Sequence, residues 1–140
     1  MAERPVRILV ADDSASDIFL VRRSLEQQGI SHDLRVAHDG EEAMLFLNQT
    51  ENDTLANRPH LILLDLNLPK VDGSHILSYI RRTPAFDATI VIVCTTSDSP
   101  QDRDLARELG ANAYFQKPSD LRSFMRLGKV VEDALAARAG

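Results

Sequence analysis

The amino-acid sequence predicts an α/β fold in which five parallel strands alternate with five helices in a doubly wound (βα)5 sheet. Short apolar runs at 6–11, 61–64 and 89–94 carry apolar residues at both odd and even positions, which is typical of strands buried on both faces. Apolar residues recur at helical spacing between these runs. For a chain of 140 residues with right-handed crossovers, the favoured strand order is 2-1-3-4-5.

Three strands and two helices are predicted in the first half of the chain. After the strand at 6–11, Ser14 and Asp17 have the spacing of a helix-opening capping box, and Gly29 ends this helix. The remaining elements of this half are a strand at 34–36, a helix at 41–48 and the strand at 61–64. The polar segment 49–58 is predicted to be an exposed loop, either a tolerated insertion or a partner contact.

The second half begins with a predicted helix at 74–82 and the strand at 89–94. Ser99-Pro100 opens the next helix, which Gly110 ends, and a strand at 113–116 and a helix from about 119 to 137 follow. The positions predicted to face the core are Ile76, Leu77, Ile80, Leu105, Ala106, Leu109, Leu121, Phe124, Leu127, Val131 and Leu135. Met125 and Val130 lie outside the apolar face predicted for the last helix, or at its margin.

Composition and charge restrict the class of protein. Apolar residues make up 44% and charged residues 26% of the chain, which are values of a globular domain. A net charge of -5 argues against nucleic-acid binding, which depends on Lys and Arg. The single cysteine, Cys94, cannot form an intramolecular disulfide and is interpreted as a small buried residue. The short apolar run at 6–11 is no signal peptide or membrane anchor, so we expect a cytoplasmic location without membrane contact.

Polar side chains end four of the five predicted strands. Asp12 and Asp13 follow the first strand, Asp65 the third, Thr95 the fourth and Lys117 the fifth. Parallel strands present their carboxyl ends to one edge of the sheet, where open α/β sheets bind ligands. Each residue alone has an ordinary explanation as a cap, turn or surface residue. We therefore base the prediction of a site on their convergence.

The predicted cluster suits a phosphoryl group beside a metal ion. Three carboxylates repel one another and need a cation to remain charged together. A hard oxygen-ligand set favours Mg²⁺, which keeps several waters and is often shared with phosphate. Lys117 and Thr95 add donors for phosphate oxygens, and a carboxylate such as Asp65 can be the nucleophile that accepts the group.

These residues together resemble the receiver domain of bacterial response regulators. The resemblance is carried by Asp12-Asp13, the run LLDLNLP around Asp65, Thr95 after TIVIVC, and Lys117-Pro118. The spacings of thirty residues from Asp65 to Thr95 and twenty-two from there to Lys117 are similar to those of the chemotaxis response regulator. The resemblance implies a flavodoxin-like receiver fold, with 1–140 a single receiver domain, its core at about 6–135, and no output domain.

Within that family the chain most resembles single-domain regulators paired with bacterial and cyanobacterial phytochromes. The segment DLNLPKVDG, the CTTS segment, the KPSDLRSF segment and the polar stretch 49–58 carry this narrower resemblance. It implies a two-component phosphorelay in which a partner histidine kinase donates the phosphoryl group. A bacteriophytochrome kinase is then one candidate partner.

The resemblance also implies a role for each member of the predicted cluster. Asp65 would be the phosphoacceptor and a metal ligand. Asp13 would bind Mg²⁺ directly, Asp12 through water, and Asn67 through its backbone carbonyl. Lys117 would pair with the phosphoryl oxygens. The chain would then be a signalling protein and not an enzyme, since its only chemistry is the formation and hydrolysis of its own aspartyl phosphate.

A second set of residues is implied to switch with phosphorylation. Thr95 would turn its hydroxyl towards the phosphate, and Tyr114 would change rotamer with it. Thr96 departs from the small residue usual in the family and could alter access to Asp65. The signal would leave through the face of the fourth helix, fifth strand and last helix, where a homodimer is expected. Met125 and Val130 would be compatible with such a contact.

Two other functions remain open from the sequence. A Mg²⁺-dependent phosphohydrolase also uses a strand-end Asp as nucleophile, but usually needs a second carboxylate two positions later, where this chain has Asn67. An interaction module that is never phosphorylated would keep the same residues. A flavin- or nucleotide-binding module is less favoured, because no glycine-rich phosphate loop follows the first strand.

Overall fold

The computed structural model describes residues 4–53 and 57–139, so three residues of the predicted loop at 49–58 lie outside the described part. The strands are β1 Val6–Ala11, β2 His32–Ala37, β3 Leu61–Leu64, β4 Ile90–Thr95 and β5 Ala113–Gln116. The helices are α1 Ala15–Gln27, α2 Gly40–Glu51, α3 Gly73–Arg82, α4 Pro100–Glu108, α5 Leu121–Phe124 and α6 Leu127–Ala139, with a 3₁₀ turn at Pro84–Phe86.

The five strands form one parallel sheet in the order β2-β1-β3-β4-β5, which confirms the predicted fold class and strand order. β1 pairs with β2 from Val6 to Ala11 and with β3 from Ile8 to Ala11. Successive side chains of a strand point to opposite faces, so the central strands contribute to two cores. Leu9 belongs to the core beneath α2, α3 and α4, whereas Ile8 belongs to the core beneath α1 and α6. The amphipathic helices cover both faces.

In the described part of the chain, no helix has both the length and the apolar character that crossing a bilayer requires.

The second helix is longer than predicted. α2 continues through Glu51, so the first three residues of the predicted loop 49–58 are helical and the prediction was wrong there. Thr50 is buried in this added turn. The Arg58 guanidinium donates to the backbone carbonyls of Thr50 and Glu51, both at 3.2 Å. A polar segment thus extends the helix because the side chain of Arg58, at the end of the same segment, satisfies the terminal carbonyls of the helix.

Tyr79 of α3 holds the added turn of α2. Its hydroxyl donates to the Glu51 carboxylate and lies 2.8 Å from Asn48 Oδ1. We expect Tyr79→Phe to lower the free energy of unfolding at neutral pH by about 1 kcal/mol, the usual cost of one such hydrogen bond. Urea unfolding at pH 8 measures this loss, and equal stability of the two proteins would contradict it.

The same tyrosine gives a pH dependence. Burial first, and then the Glu51 carboxylate, raise the pKa of Tyr79 to about 12. The unfolded chain loses this proton first, near its ordinary pKa of about 10, so Tyr79 stabilises the fold below that pH. Its contribution declines as pH rises from 10 to 12. The difference in stability between wild type and Tyr79→Phe should therefore shrink over this window.

The predicted final helix is divided into a short α5 and a long α6. Around the break, Arg126 N donates to Ser123 O and Gly128 N to Met125 O, which are three-residue instead of four-residue hydrogen bonds. A Cβ at Gly128 would lie 2.4 Å from Ser24 O. The absence of a side chain at this glycine lets α6 approach α1 closely. The three-residue hydrogen bonds between α5 and α6 form the turn at which α6 begins this approach.

Two predicted core positions are exposed instead. Leu105 in α4 is 40% exposed and Leu121 in α5 is 61% exposed, so both predictions were wrong. Periodicity identifies one face of a helix but does not show how far that face reaches past the sheet. Met125 and Val130 are partly buried against the core beneath α1 and α6. The other predicted core positions are buried or pack against the core.

Candidate functional site

The carboxyl edge of the sheet brings together residues that are distant in sequence. Two backbone hydrogen bonds extend the strand pairing by one residue: Asp65 N donates to Ala11 O at 3.0 Å, and Lys117 N donates to Thr95 O at 2.7 Å. These bonds hold the residues that follow β3 and β5 at the carboxyl edge of the sheet, in register with the ends of the neighbouring strands β1 and β4. Asp12, Asp65 and Lys117 are all buried there.

Lys117 is the centre of the site. Its Nζ lies 2.7 Å from Asp12 Oδ2, 2.9 Å from Asp17 Oδ2 and 3.0 Å from Asp65 Oδ2. An ammonium group has three N–H donors, and each of them has a carboxylate acceptor here. Charge-assisted hydrogen bonds of this kind are about twice as strong as neutral ones. The lysine therefore joins three elements of the fold at one point.

Burial and charge act against each other in this cluster. Burial raises the pKa of Asp12 above its ordinary value, and this effect exceeds the opposing influence of the hydrogen bond from Lys117. For Lys117, burial disfavours the charged ammonium, but the hydrogen bonds to Asp12 and Asp17 and the charges of Asp12 and Asp65 more than offset it. The net result is that the pKa of Lys117 lies above its usual range. The lysine remains a cation.

The carboxylates fit a divalent cation. One ligand oxygen each of Asp12, Asp13 and Asp65 lies within 4.8 Å of the others, and Asp13 is exposed to solvent. Hard carboxylate oxygens, with one of them facing water, suit an ion such as Mg²⁺ that keeps part of its hydration shell. Lys117 alone leaves the cluster with an excess of negative charge, which a bound cation would neutralise.

The turn after β3 fixes the backbone of Asp65. Asn67 N donates to Asp65 Oδ1 at 3.0 Å, and Gly73 N donates to Leu66 O at 3.0 Å. A Cβ at Gly73 would lie 2.2 Å from the backbone oxygen of Asp65 and 2.6 Å from Leu66 Cα. The start of α3 can pack this closely against the turn only because residue 73 is glycine.

The predicted switch residues lie next to the carboxylate cluster on β4 and β5. Thr95 is buried, and its Oγ1 accepts from Ser97 N at 3.3 Å, whereas Thr96 is exposed. Tyr114 donates its hydroxyl to Ser97 O at 3.0 Å. The Arg103 guanidinium lies 4.5 Å from the centre of the Tyr114 ring. Both Thr95 and Tyr114 therefore contact the loop that follows β4.

Cys94 is buried in β4, as the sequence predicts. Burial raises the pKa of its thiol well above the usual range. A thiolate is the reactive form of cysteine, so this side chain serves packing and not chemistry.

Asp17 was not predicted to belong to the site. The sequence suggested only a capping box, and Ser14 Oγ indeed accepts from Asp17 N at 3.2 Å. The reciprocal bond of a capping box does not form, because Ser14 N donates to Asp12 Oδ1 at 2.9 Å. The Asp17 side chain turns to Lys117 instead. The signal available in the sequence was an additional acid in the first turn after a strand that ends in two carboxylates.

Comparison with known proteins gives a consistent result. The family model of the response regulator receiver domain matches residues 8–127. The chain is 38% identical to "Response regulator Rcp1" of Synechocystis over 91% of this chain and 87% of that protein. It is 36% identical to "Probable methanogenesis regulatory protein FilR2" of Methanothrix harundinacea over 94% of this chain and 83% of that protein.

Solved structures agree with the sequence relatives. The Mn(2+)-bound form of Rcp1 superposes with a TM-score of 0.81 at 39% identity, covering 92% of this chain and 93% of that one. The phosphorylated cyanobacterial phytochrome response regulator RcpA superposes with a TM-score of 0.82 at 33% identity, covering 93% of each chain.

Proposed function

Since the chain belongs to the response regulator receiver family, we propose that it accepts a phosphoryl group on Asp65 from a phosphohistidine of a partner histidine kinase. The observation that carries this proposal is the buried contact of 3.0 Å between Lys117 Nζ and Asp65 Oδ2. A carboxylate at a strand end with a fixed cation beside it is suited to accept a phosphoryl group, whose oxygens the cation then stabilises.

The proposed transfer needs no proton from Asp65. An ionised Asp65 oxygen forms a bond to phosphorus while the bond from phosphorus to the imidazole nitrogen breaks, and the nitrogen keeps the electron pair. Asn67 N, which donates to Asp65 Oδ1, orients the carboxylate and leaves the other oxygen beside Lys117. Lys117 then donates to the phosphoryl oxygens.

We propose that Asp13, Asp65 and the backbone carbonyl of Asn67 hold Mg²⁺, with Asp12 acting through water. When bound, this ion would supply positive charge for the phosphoryl oxygens. The Mn(2+)-bound form of Rcp1 supports a divalent ion at this site, because Rcp1 is a relative of this chain. The set of three carboxylates within 4.8 Å supports it in this chain itself.

Asp65→Asn tests the proposed acceptor. We expect wild type, incubated with Mg²⁺ and acetyl phosphate, to gain one phosphoryl group, because Asp65 is a carboxylate nucleophile beside a fixed cation. Asp65→Asn should gain no phosphoryl group, since the asparagine amide is not a nucleophile. Intact-mass spectrometry measures the adduct. Asp33→Asn is the matched control, because Asp33 is an exposed acid of the edge strand β2 and should leave the adduct unchanged.

The same experiment separates the other functions. Continuous release of phosphate from small esters without an adduct would favour the phosphohydrolase. The absence of both adduct and phosphate release in wild type would favour the interaction module. An adduct that persists in Asp65→Asn would show that another residue accepts the group.

For the kinase partner, we propose a phytochrome kinase. The support is the similarity to RcpA, whose name describes a phytochrome response regulator, together with the sequence segments around Asp65 and Lys117. The similarity to FilR2, a probable methanogenesis regulatory protein, is a reason to include kinases of other types in the test. Phosphotransfer from a panel of purified histidine kinases would test the pairing, and a faster transfer from a kinase of another type would contradict it.

For the output, we propose that phosphorylation changes the face formed by α4, β5 and α6, and that two copies associate there. Tyr114 links this face to the loop after β4, and the exposed Leu105 gives α4 an apolar contact point. Thr95 ends β4 and Thr96 begins that loop, and both would respond to the phosphoryl group. Light scattering before and after phosphorylation would test the association.

A further inference from the structure

Lys117 has no unused hydrogen-bond donor in the unphosphorylated protein. Its three N–H groups match three carboxylates at 2.7, 2.9 and 3.0 Å. If Lys117 is to donate to a phosphoryl group on Asp65, it must give up at least one of these contacts. The strength of the contact that Lys117 gives up affects how fast Asp65 accepts the phosphoryl group.

The three contacts differ in their surroundings. The Asp12 side chain is 4% exposed and also accepts from Ser14 N, so its separation from Lys117 would leave a carboxylate buried without its cation. The contact with Asp65 Oδ2 can pass to one oxygen of the phosphoryl group that Asp65 accepts, so a second phosphoryl oxygen needs the donor held by Asp12 or Asp17. The Asp17 side chain is 25% exposed, so water can replace its hydrogen bond to Lys117. Asp17 is the contact that costs least to lose.

We propose that Asp17 is a positioning residue that occupies one donor of Lys117 in the unphosphorylated protein and releases it to the phosphoryl oxygens. This inference rests on the proposed function of Asp65 and adds a regulatory contact to it. Lys117 stays in place when Asp17 releases it, because Asp12 still holds it at 2.7 Å. Asp17 thus competes with the phosphoryl group for the same cation.

The rate of phosphoryl acceptance tests the competition. With acetyl phosphate and Mg²⁺, we expect Asp17→Asn to raise the second-order rate constant about fivefold, because a neutral amide oxygen holds an ammonium less strongly than a carboxylate does. Asp17→Glu keeps the competing charge and should stay within about twofold of wild type on the same grounds. Glu26→Gln removes one negative charge from the far end of α1 and controls for net charge. Thermal unfolding shows that each variant is folded.

A second measurement follows the contact directly. In wild type, the ¹³C resonance of the Asp17 carboxyl group, assigned by its absence in Asp17→Asn, should shift when one phosphoryl group is added, while that of Asp33 should not. An unchanged or lower rate in Asp17→Asn, or an unmoved Asp17 resonance in phosphorylated wild type, would overturn this inference alone. A wild type that accepts no phosphoryl group would overturn the proposed function and this inference with it.

Discussion

Replacing Lys117 with methionine is expected to lower the free energy of unfolding at pH 7 by about 3 kcal/mol, the lower end of the usual cost of removing one partner from a buried ion pair. The methionine fills a similar volume but leaves Asp12 and Asp65 without their shared cation. Because these side chains are buried, their repulsion is weakly screened by solvent. Urea unfolding of wild type and Lys117→Met gives the difference.

The loss of stability in Lys117→Met should depend on pH and on Mg²⁺. Burial raises the pKa of Asp12 and Lys117 opposes that rise, so removal of the lysine moves the folded-state pKa of this carboxyl group further above its value in the unfolded chain. The folded state then binds more protons, so its stability falls as pH rises, and the defect should be smaller at pH 5 than at pH 7. Added Mg²⁺ should restore part of the stability by binding the folded cluster.

Lys129→Met is the matched control for this substitution. Lys129 is exposed and pairs with Glu132 and Asp133 on the surface of α6, so its removal should change stability far less than the removal of Lys117 does. Equal stabilities of Lys117→Met and wild type would mean that Asp12 and Asp65 are not both charged in the folded protein. Phosphoryl acceptance should fall sharply in Lys117→Met in either case.

Replacing Gly73 with alanine is expected to destabilise the protein by about 3 kcal/mol, the upper part of the range for overpacking a tight site. The added Cβ would lie 2.2 Å from the backbone oxygen of Asp65 and 2.6 Å from Leu66 Cα, and backbone atoms cannot rotate away. Either α3 or the turn after β3 must move. Since Asp65 is part of that turn, phosphoryl acceptance should fall together with stability.

Gly29→Ala provides the comparison for the glycine substitution. Gly29 has a positive φ of 76° but nothing within 4 Å of an added Cβ, so only the left-handed backbone opposes alanine. Holding alanine in this left-handed backbone conformation costs about 1 kcal/mol of stability. We expect Gly29→Ala to accept the phosphoryl group at the wild-type rate. Urea unfolding measures the stability of each variant, and intact-mass spectrometry measures its phosphoryl acceptance. A Gly73→Ala protein as stable and as active as Gly29→Ala would contradict the close-contact argument.

The sequence alone determined the sheet and its carboxyl edge. Strands β1, β3 and β5 were predicted with their observed bounds. In β1 and β3 the signal is an apolar run typical of a strand buried on both faces, whereas the short edge strand β5 is ended by Lys117-Pro118. Once the strands are known, the polar residue after each one is placed at a common edge by topology. Asp12, Asp13, Asp65 and Lys117 could therefore be grouped without coordinates.

Elements with mixed patterns were predicted less well. The edge strand β2 is half exposed, so only its centre was apparent in the sequence. The added turn of α2 depends on side-chain hydrogen bonds from Arg58, at the end of the same polar segment, and from Tyr79 of α3. Helix propensity carries no information about such side-chain hydrogen bonds.

Tertiary structure alone decided the role of Asp17. In the sequence, this residue has the spacing of a helix cap, and its backbone N–H does take part in the cap. Only the packing of α1 against the residues after β5 brings its carboxylate to Lys117, one hundred positions away. The physical reason is that periodicity reports which face of an element is buried, whereas the pairing of two charges depends on distances across the fold.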